Sequence, residues 1–440
     1  MFRQLIYPSY ARLTRPNRNA SRRTSERGGM LQTGAVISFA VGIDTDLTLA
    51  YQLFSFLLCM IVLSRLAIRF QKPNVKLHRR LPRFATAGEP FSYQILITNL
   101  GDHVEQDLRI ADNPTVITPG FDEFLVEREP LEETRNAYDR WIGFHRFIWL
   151  QRRKTGISVK QSSVPDIHRR STVDTRIEAQ PLRRGLVHFH STSLLNPDPL
   201  GLNYHITNFE NPDSLIILPR RYQVNDRHLL PVGRHFQPGG VNPTWSIGES
   251  EEFVSLRDYR EGDPLRKIHW ASSAKRSKPV VKEYQDEFFV RHTLVLETMS
   301  TDATLLEEAV SVAASIILKF RDTDGIIDLM YLADRPRHLS TGRGSAETNH
   351  QLVTLATLTA STRPFSELAN LAKHQAKLMS GCYLIFTGWD EEHQKLLSSL
   401  QNAGIPTMAF VVAPVTSALW DLPSGVLRLP VGHVGEELAK

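Results

Sequence analysis

Three hydrophobic patterns follow one another along the chain. Two mostly apolar runs, 31–43 and 47–64, come first, and short runs with period-two alternation follow from about residue 85 to residue 220. Beyond residue 287, strand-like apolar runs alternate with segments whose apolar residues recur at helical spacing. These patterns predict an α+β multidomain protein with a helical N-terminal segment, a β-domain and an α/β domain.

The two N-terminal runs predict a transmembrane helical hairpin over residues 30–66. The second run would form a helix of about 27 Å and the first a helix of about 20 Å, against a hydrocarbon core of roughly 30 Å. Asp44 and Asp46 lie between the runs, which leaves room only for a tight turn. Basic residues flank the hairpin on both sides, so both of its ends are expected to face the cytoplasm.

Two other interpretations of this segment stay open. In one, only the second run spans the membrane. In the other, the first run is the core of a cleaved signal peptide, preceded by the twin-arginine-like Ser21-Arg22-Arg23. The true start is open too, because an Arg- and Ser-rich stretch separates Met1 from Met30.

The net charge of +5 favours a nucleic-acid binder only at first sight. Residues 1–29 hold seven arginines and one glutamate, a charge of +6, so the rest of the chain sums to about −1. The basic excess is therefore a tail, and no nucleic-acid partner is expected. The two cysteines, Cys59 and Cys382, lie inside apolar runs, which excludes a disulfide framework or a thiolate metal site.

Residues 73–220 are predicted to form a small antiparallel β-sandwich. Strands are expected at 91–98, 185–190 and 214–218, with turn residues between them. The segment 138–154 interleaves aromatic and basic residues, and we expect it to be a long strand of this sandwich. The alternative is a segment that lies in the headgroup layer of a membrane.

Residues 287–430 are predicted to form a doubly wound α/β domain. Its expected strands are 290–296, 325–332, 382–386 and 407–412, and its expected helices begin near residues 303, 346 and 390. Residues 221–286 would form a linker, with a hinge at 237–243, and then a dense polar segment.

That segment, GESEEFVSLRDYREGDPLRKIHWASSAKRSKPVVKEY, crowds opposite charges around a Gly-Asp-Pro turn. It resembles the E-F-x-x-L-R-x-Y-x-x-G-D-x-x-R-x-I-x-W-x-x-S-A-[KR] signature of the family known as domain of unknown function 58. Arg183-Arg184-Gly185 and Asp198-Pro-Leu-Gly-Leu resemble further motifs of that family. The signature positions are Glu252, Phe253, Arg257, Asp258, Tyr259, Gly262, Asp263, Arg266, His269, Trp270 and Lys275.

The resemblance implies a fold, a location and partners. The fold would be a von Willebrand factor A-like domain after the signature, and the location the inner membrane of a bacterium, with most of the chain cytoplasmic. The partners would be a MoxR-type AAA+ ATPase and an unknown client protein. We therefore expect a non-enzymatic, membrane-anchored scaffold or adaptor that works in the assembly or remodelling of other proteins. A metal-dependent ligand-binding module is the alternative, and a hydrolase is third.

A-like domains of this kind hold Mg²⁺ or Mn²⁺ at a D-x-S-x-S motif after their first strand. Here the matching residues run from Glu297 to Thr301, with Met299 at the first serine position and Asp390 as a distant substitute for the later acid. A thioether is a poor ligand for such ions, so no cofactor is expected.

The signature loop itself has three interpretations. Its arginines could pair with its acids in an inter-domain network, with His269 and Trp270 as a buried packing pair. It could be a docking surface for another protein. As an enzyme, it would use Asp258, Asp263 and His269 as acid and base groups, although no nucleophile–base spacing is recognisable.

Overall fold

The computed structural model describes residues 2–14, 24–42, 48–67, 73–130, 132–230, 251–263, 265, 268–276, 278–286, 291–300, 302–321, 326–340, 345–415, 422–423 and 425–440. They divide into two compact units, one of Met1–Arg221 with Leu352–Leu358 and one of Tyr222–Gln351 with Thr359–Lys440. The predicted hinge at 237–243 lies outside the described residues.

Among the described residues, the first unit opens with the helices α1 (Phe2–Leu13), α2 (Glu26–Val41) and α3 (Thr48–Ala67). The apolar helices α2 and α3 pack on one another, since the rings of Phe39 and Phe54 lie 5.1 Å apart. The Ser38 hydroxyl also donates a hydrogen bond to the Ala50 carbonyl at 2.7 Å. Among the described residues, one helix segment, Leu49–Ala67, is long and apolar enough to cross a membrane.

The β-domain follows. Its elements are β1 (Val75–Arg80), β2 (Phe84–Thr86), β3 (Phe91–Asn99), β4 (Arg109–Pro114), α4 (Phe121–Val126), α5 (Ala137–Ile142), α6 (Phe144–Thr155), β5 (Ile157–Val159), β6 (Ser162–Ser163), β7 (Thr172–Pro181), β8 (Gly185–Pro197) and β9 (Tyr204–Leu218).

These strands form two sheets, ordered β1-β3-β7-β5 and β2-β9-β8-β4-β6. Neighbours are antiparallel except β2 and β9, which run parallel. Alternate residues point inward, and side chains of both sheets meet in one apolar core that includes Ile95, Ile110, Ile177 and Leu215.

The expectation of a long strand over 138–154 is wrong, because this segment forms α5 and α6. Phe147 and Leu150 lie three residues apart and are both buried, which is helical spacing. Gly143 and Gly156, both with positive φ, bound α6 on either side. Helix α1 packs its tyrosines against this helical insertion: the Tyr7 ring lies 5.6 Å from that of Phe147.

The second unit contains β10 (Glu251–Asp258), α7 (Trp270–Arg276), β11 (Val280–Asp286), β12 (Arg291–Leu296), α8 (Ala303–Arg321), β13 (Ile326–Leu332), β14 (Pro336–Leu339), α9 (Ser345–Thr357), α10 (Phe365–Gln375), β15 (Gly381–Phe386), α11 (Glu391–Asn402), β16 (Thr407–Ala413), β17 (Val426–Pro430) and α12 (Val434–Ala439). The division between the units falls within α9.

Within the described part of this unit, strands β12 to β17 form one sheet in the order β14-β13-β12-β15-β16-β17. All neighbours are parallel except the edge pair β13 and β14. Along β15, Cys382 and Leu384 pack in a core with α10 and α11, whereas the intervening Tyr383 ring meets Phe320 of α8 at 5.4 Å. Helices therefore cover both faces of the sheet, as predicted for a doubly wound domain.

Candidate functional site

The signature segment forms a hairpin whose connection folds back on its own strands. Strands β10 and β11 pair antiparallel up to Asp258 and Val280, with a bulge between Phe253 and Ser255. The connecting residues 259–279 are called the signature loop below. Val280 and Val281 are buried, and Ile268 makes a bridge to Val281 that holds the loop against β11.

A tight turn closes the first half of the loop. Gly262 has φ of +105°, which only glycine adopts without strain. Asp263 accepts two hydrogen bonds of 2.7 Å from the Arg257 guanidinium and one of 2.9 Å from the Arg260 amide. These bonds lower the pKa of Asp263 to about 2, chiefly through Arg257. A bidentate pair of this kind fixes the plane of the guanidinium relative to the plane of the carboxylate, so the turn is rigid.

Serine hydroxyls form hydrogen bonds in the second half of the signature loop. The His269 amide donates to the Val280 carbonyl at 2.8 Å, and its Nδ1 lies 2.7 Å from the Ser272 hydroxyl. The Ser273 hydroxyl donates to the His269 carbonyl and accepts from the Val280 amide, both at 2.9 Å. These hydrogen bonds tie the start of α7 to β11.

The large apolar side chains of the loop point outward. Trp270 is 70 % exposed and Leu265 is 67 % exposed. The expectation that His269 and Trp270 form a buried packing pair is therefore wrong, because Trp270, the first residue of α7, is largely exposed and His269 is only half-buried. Lys275, Arg276 and Lys278 are exposed in the same loop, which gives this side a basic character.

Other signature residues have different surroundings. Asp258 is exposed, and Tyr259 is half-buried with its amide donating to the Pro279 carbonyl at 3.0 Å. Glu252 and Phe253 lie on β10, and Arg266 lies outside the described residues. Among the described residues, Asp258 and His269 form no hydrogen bond or ion pair with each other, whereas Arg257 and Asp263 form an ion pair within the signature segment itself.

A second polar cluster lies at the carboxyl end of the parallel strands. Glu297 follows β12 and is 6 % exposed. Its Oε2 accepts a hydrogen bond of 2.7 Å from the Thr387 amide, which follows β15, and lies 3.2 Å from Nε2 of His393 on α11. The Nδ1 atom of the same imidazole lies 2.7 Å from Asp390.

His393 is the buried imidazole of this cluster. Burial lowers its pKa, but the hydrogen bond and charge of Glu297 and the charge of Asp390 outweigh that effect, so the pKa of His393 is raised. Its ring lies 4.3 Å from the Phe365 centroid and 4.7 Å from that of Phe386, and such rings favour a positive charge. Partial burial raises the pKa of Asp390, but its contacts with His393 give a net lowering.

The residues at this edge do not fit a divalent cation. Oε2 of Glu297 is engaged by Thr387 and His393, and Met299 packs in the apolar core beside α10 and α11. Thr301 lies outside the described residues. Among the described residues, no group of three or more His, Cys, Asp or Glu side chains could hold a metal ion.

Sequence reasoning missed His393. Its signal was local: Asp390-Glu-Glu-His places a helix-capping acid and a histidine three residues apart. The Asp390 carboxylate accepts the amides of Glu392 and His393, at 2.8 and 3.2 Å, as a helix cap. The contact of Glu297 with the imidazole had no such local signal, because it depends on the pairing of β12 with β15.

The family described as "Protein of unknown function DUF58" matches residues 255–381, which runs from the signature hairpin to β15. A curated relative, "Uncharacterized protein YeaD" of Bacillus subtilis (strain 168), is 33 % identical over 170 residues. This match covers 37 % of the present chain and spans only 40 % of the relative's length.

Among solved structures, the proximal thread matrix protein 1 of the mussel byssus is 14 % identical, with a TM-score of 0.27, over 34 % of this chain and 44 % of that one. An aerotolerance-related membrane protein from Bacteroides fragilis NCTC 9343 is 13 % identical, with a TM-score of 0.22, over 34 % of this chain and 86 % of that one. The match to DUF58 therefore includes the signature segment, but it identifies only a family of unknown function.

Proposed function

We propose that this chain is a membrane-anchored adaptor whose signature loop binds another protein. The observation that carries the proposal is the exposure of Trp270 on a loop that hydrogen bonds hold rigid. Tryptophan is enriched among residues that dominate binding energy. A surface that is already ordered also loses little entropy when a partner binds.

The partner surface would be acidic around an apolar pocket. Trp270 and Leu265 supply the apolar anchors, and Lys275, Arg276 and Lys278 supply positive charge beside them. The partner that the family resemblance implies is a MoxR-type AAA+ ATPase, which would act on a third, client protein. Complementary charge would raise the association rate more than the affinity.

The membrane anchor would be a hairpin of α2 and α3. Both helices carry large exposed apolar side chains, among them Ile37 and Phe39 on α2 and Phe56 and Leu63 on α3. With basic flanks at both ends, the two units would face the cytoplasm at the inner membrane of a bacterium. Confinement to the membrane raises the effective concentration of adaptor near a membrane-bound client.

The α/β domain would be von Willebrand factor A-like. Its sheet order and its antiparallel edge strand β14 support this assignment. Binding partners of open α/β sheets meet them at the carboxyl ends of the strands, where Glu297 and His393 lie. Here an internal ion pair would stand where other domains of this fold hold a cation.

Affinity purification of the full chain in mild detergent, with and without ATP, tests the adaptor proposal. We expect nucleotide-dependent recovery of an AAA+ ATPase, which Trp270→Ala abolishes. Trp141→Ala is the matched control, because Trp141 is also exposed, at 49 %, but lies on the helical insertion. Recovery that is unchanged by Trp270→Ala would refute docking through the loop.

One contact favours a hydrolase as the second candidate. The Ser272 hydroxyl lies 2.7 Å from Nδ1 of His269, which is the spacing of a nucleophile and its base. The contact also has a local explanation, because the residues are three apart at the start of α7. Hydrolysis of ester or phosphoester probes that is lost in both Ser272→Ala and His269→Ala would favour the enzyme.

For a metal-dependent module, calorimetry would have to detect Mg²⁺ or Mn²⁺ binding.

A further inference from the structure

The turn that contains the Asp198-Pro-Leu-Gly-Leu motif contacts two N-terminal helices, α2 near its first residue and α3 near its last. The Ser25 amide donates to the Leu202 carbonyl at 3.0 Å, and Gly28 approaches that carbonyl so closely that a Cβ would lie 2.0 Å from its oxygen. Buried Asp198 accepts the Leu202 amide at 2.8 Å and the hydroxyl of Ser64 on α3. Hydrogen bonds therefore join the β-domain to the start of α2 and to α3 at this turn.

A pocket of about 570 Å³ opens beside this turn. Its wall includes four charged side chains, Glu26 and Arg27 from the first turn of α2 and Asp107 and Arg109 from the β-domain. All four are exposed, and none forms a salt bridge with a residue that the structure describes. The Arg109 guanidinium lies 5.2 Å from the Tyr204 ring centroid, and Tyr204 also lines the pocket.

The position of the pocket along α2 matches the headgroup layer of a bilayer. Arg27 precedes Leu31, the start of the apolar run, by four residues, a rise of about 6 Å. The headgroup layer on each side of a bilayer is roughly 5–7 Å thick. If α2 and α3 cross the membrane as proposed above, the pocket opens where phospholipid headgroups lie.

We propose that this pocket binds the headgroup of a zwitterionic phospholipid of the ethanolamine type. Arg27 and Arg109 would bind the phosphodiester, and Glu26 and Asp107 would accept hydrogen bonds from the primary ammonium. A choline headgroup has no N–H to donate, and an anionic glycerol headgroup offers no cation for the two carboxylates. The balance of two cations and two anions therefore selects ethanolamine over both.

Native mass spectrometry of the full chain in mild detergent, titrated with phosphatidylethanolamine, phosphatidylcholine and phosphatidylglycerol, tests this inference. We expect phosphatidylethanolamine to bind at least about tenfold more tightly than phosphatidylcholine, since each charge-assisted hydrogen bond contributes that much or more. Arg27→Gln with Arg109→Gln should remove the binding. Glu26→Gln with Asp107→Asn should invert the preference towards phosphatidylglycerol.

The exposed pair Arg170 and Asp102, outside the pocket, gives the matched control Arg170→Gln with Asp102→Asn, which should change nothing. Equal binding of all three lipids, or equal loss in the control, would overturn the inference. Saturation by inorganic phosphate or glycerophosphoethanolamine at the lipid's concentration would also overturn it, in favour of a soluble phosphate ligand. The inference rests on the membrane placement, which carbonate extraction of membranes tests separately. A chain released by carbonate refutes the anchor, whereas a retained chain without lipid preference refutes only the pocket.

Discussion

The Nε2 atom of His393 lies 3.2 Å from the Oε2 atom of Glu297, and both side chains are buried at the carboxyl end of the sheet. The pair joins the residue after β12 to helix α11, and Thr387 adds a backbone hydrogen bond from the end of β15. The hydrogen bond and charge of Glu297 favour the protonated form of this imidazole. The structural consequence is that hydrogen bonds to one carboxylate tie three segments of the second unit together.

The two members of this pair should be strongly coupled. His393→Leu leaves the Glu297 charge buried and unpaired, so we expect it to lower the free energy of unfolding by about 3 kcal/mol. The double variant Glu297→Leu with His393→Leu should recover much of that loss. Urea unfolding of the full chain and of the single and double variants in detergent, followed by tryptophan fluorescence, gives a double-mutant cycle for the pair. Additive effects of the two single variants would show that the pair is not coupled.

The same pair predicts a loss of stability at alkaline pH. The pKa of His393 is raised in the folded chain, so its contribution is fully present below the unfolded value of about 6.5 and is lost as pH rises through the folded pKa. Unfolding measured at closely spaced pH values should show this decline above pH 6.5. Glu297→Gln should weaken it, because the main partner of the charge is gone. An identical pH profile in that variant would refute the assignment.

His292 should act in the opposite direction. Burial lowers its pKa to about 4, and neither ring nitrogen has a hydrogen-bond partner among the described residues. The folded state resists protonation, so stability is lost as pH falls from about 6.5 towards 4, by about 3 kcal/mol in total. His292→Leu should flatten this acid limb, whatever its effect at neutral pH. A limb of unchanged slope would mean that other groups cause the loss.

The β-domain contains a buried pair that should be costly to break. Arg79 and Asp112 have fully buried side chains, and the Tyr93 hydroxyl donates to Asp112 at 2.6 Å. Arg79→Met should lower the free energy of unfolding by about 3–5 kcal/mol, because it leaves a buried carboxylate unpaired. Arg79→Met with Asp112→Leu should restore most of the loss, which urea unfolding can measure. No recovery in the double variant would show that the arginine acts through packing alone.

The turn of the signature loop should depend on Gly262. A Cβ at this residue meets nothing within 4 Å, so Gly262→Ala strains only the backbone, at a cost of about 1–2 kcal/mol. We expect the variant to loosen the turn, which hydrogen exchange of the Arg260 and Asp263 amides would detect. It should also reduce capture of the AAA+ partner. Ala274→Gly, at an exposed position of α7, is the matched control for a small change in the same loop.

The pattern of the chain predicted most of the second unit before any tertiary contact was considered. The expected strands at 325–332 and 382–386 appear as Ile326–Leu332 and Gly381–Phe386, because buried parallel strands are short, nearly continuous apolar runs. The expected strand over 138–154 is wrong because its aromatic residues do not form one face of a strand. Tyr138, Trp141, Phe144 and Phe147 are three residues apart, which is helical spacing, and the helices they form pack against Tyr7 and Phe124.

The apolar helices and the parallel α/β alternation could be predicted from the sequence, because each depends on residues close together in the chain. The pairing of Arg257 with Asp263, the exposure of Trp270 and the contact of Glu297 with His393, 96 residues away, became clear only in the folded chain. Local propensity carries no information about contacts over such separations. They arise when strands pair and helices cover the sheet, since burial of apolar surface then fixes which polar groups must satisfy one another.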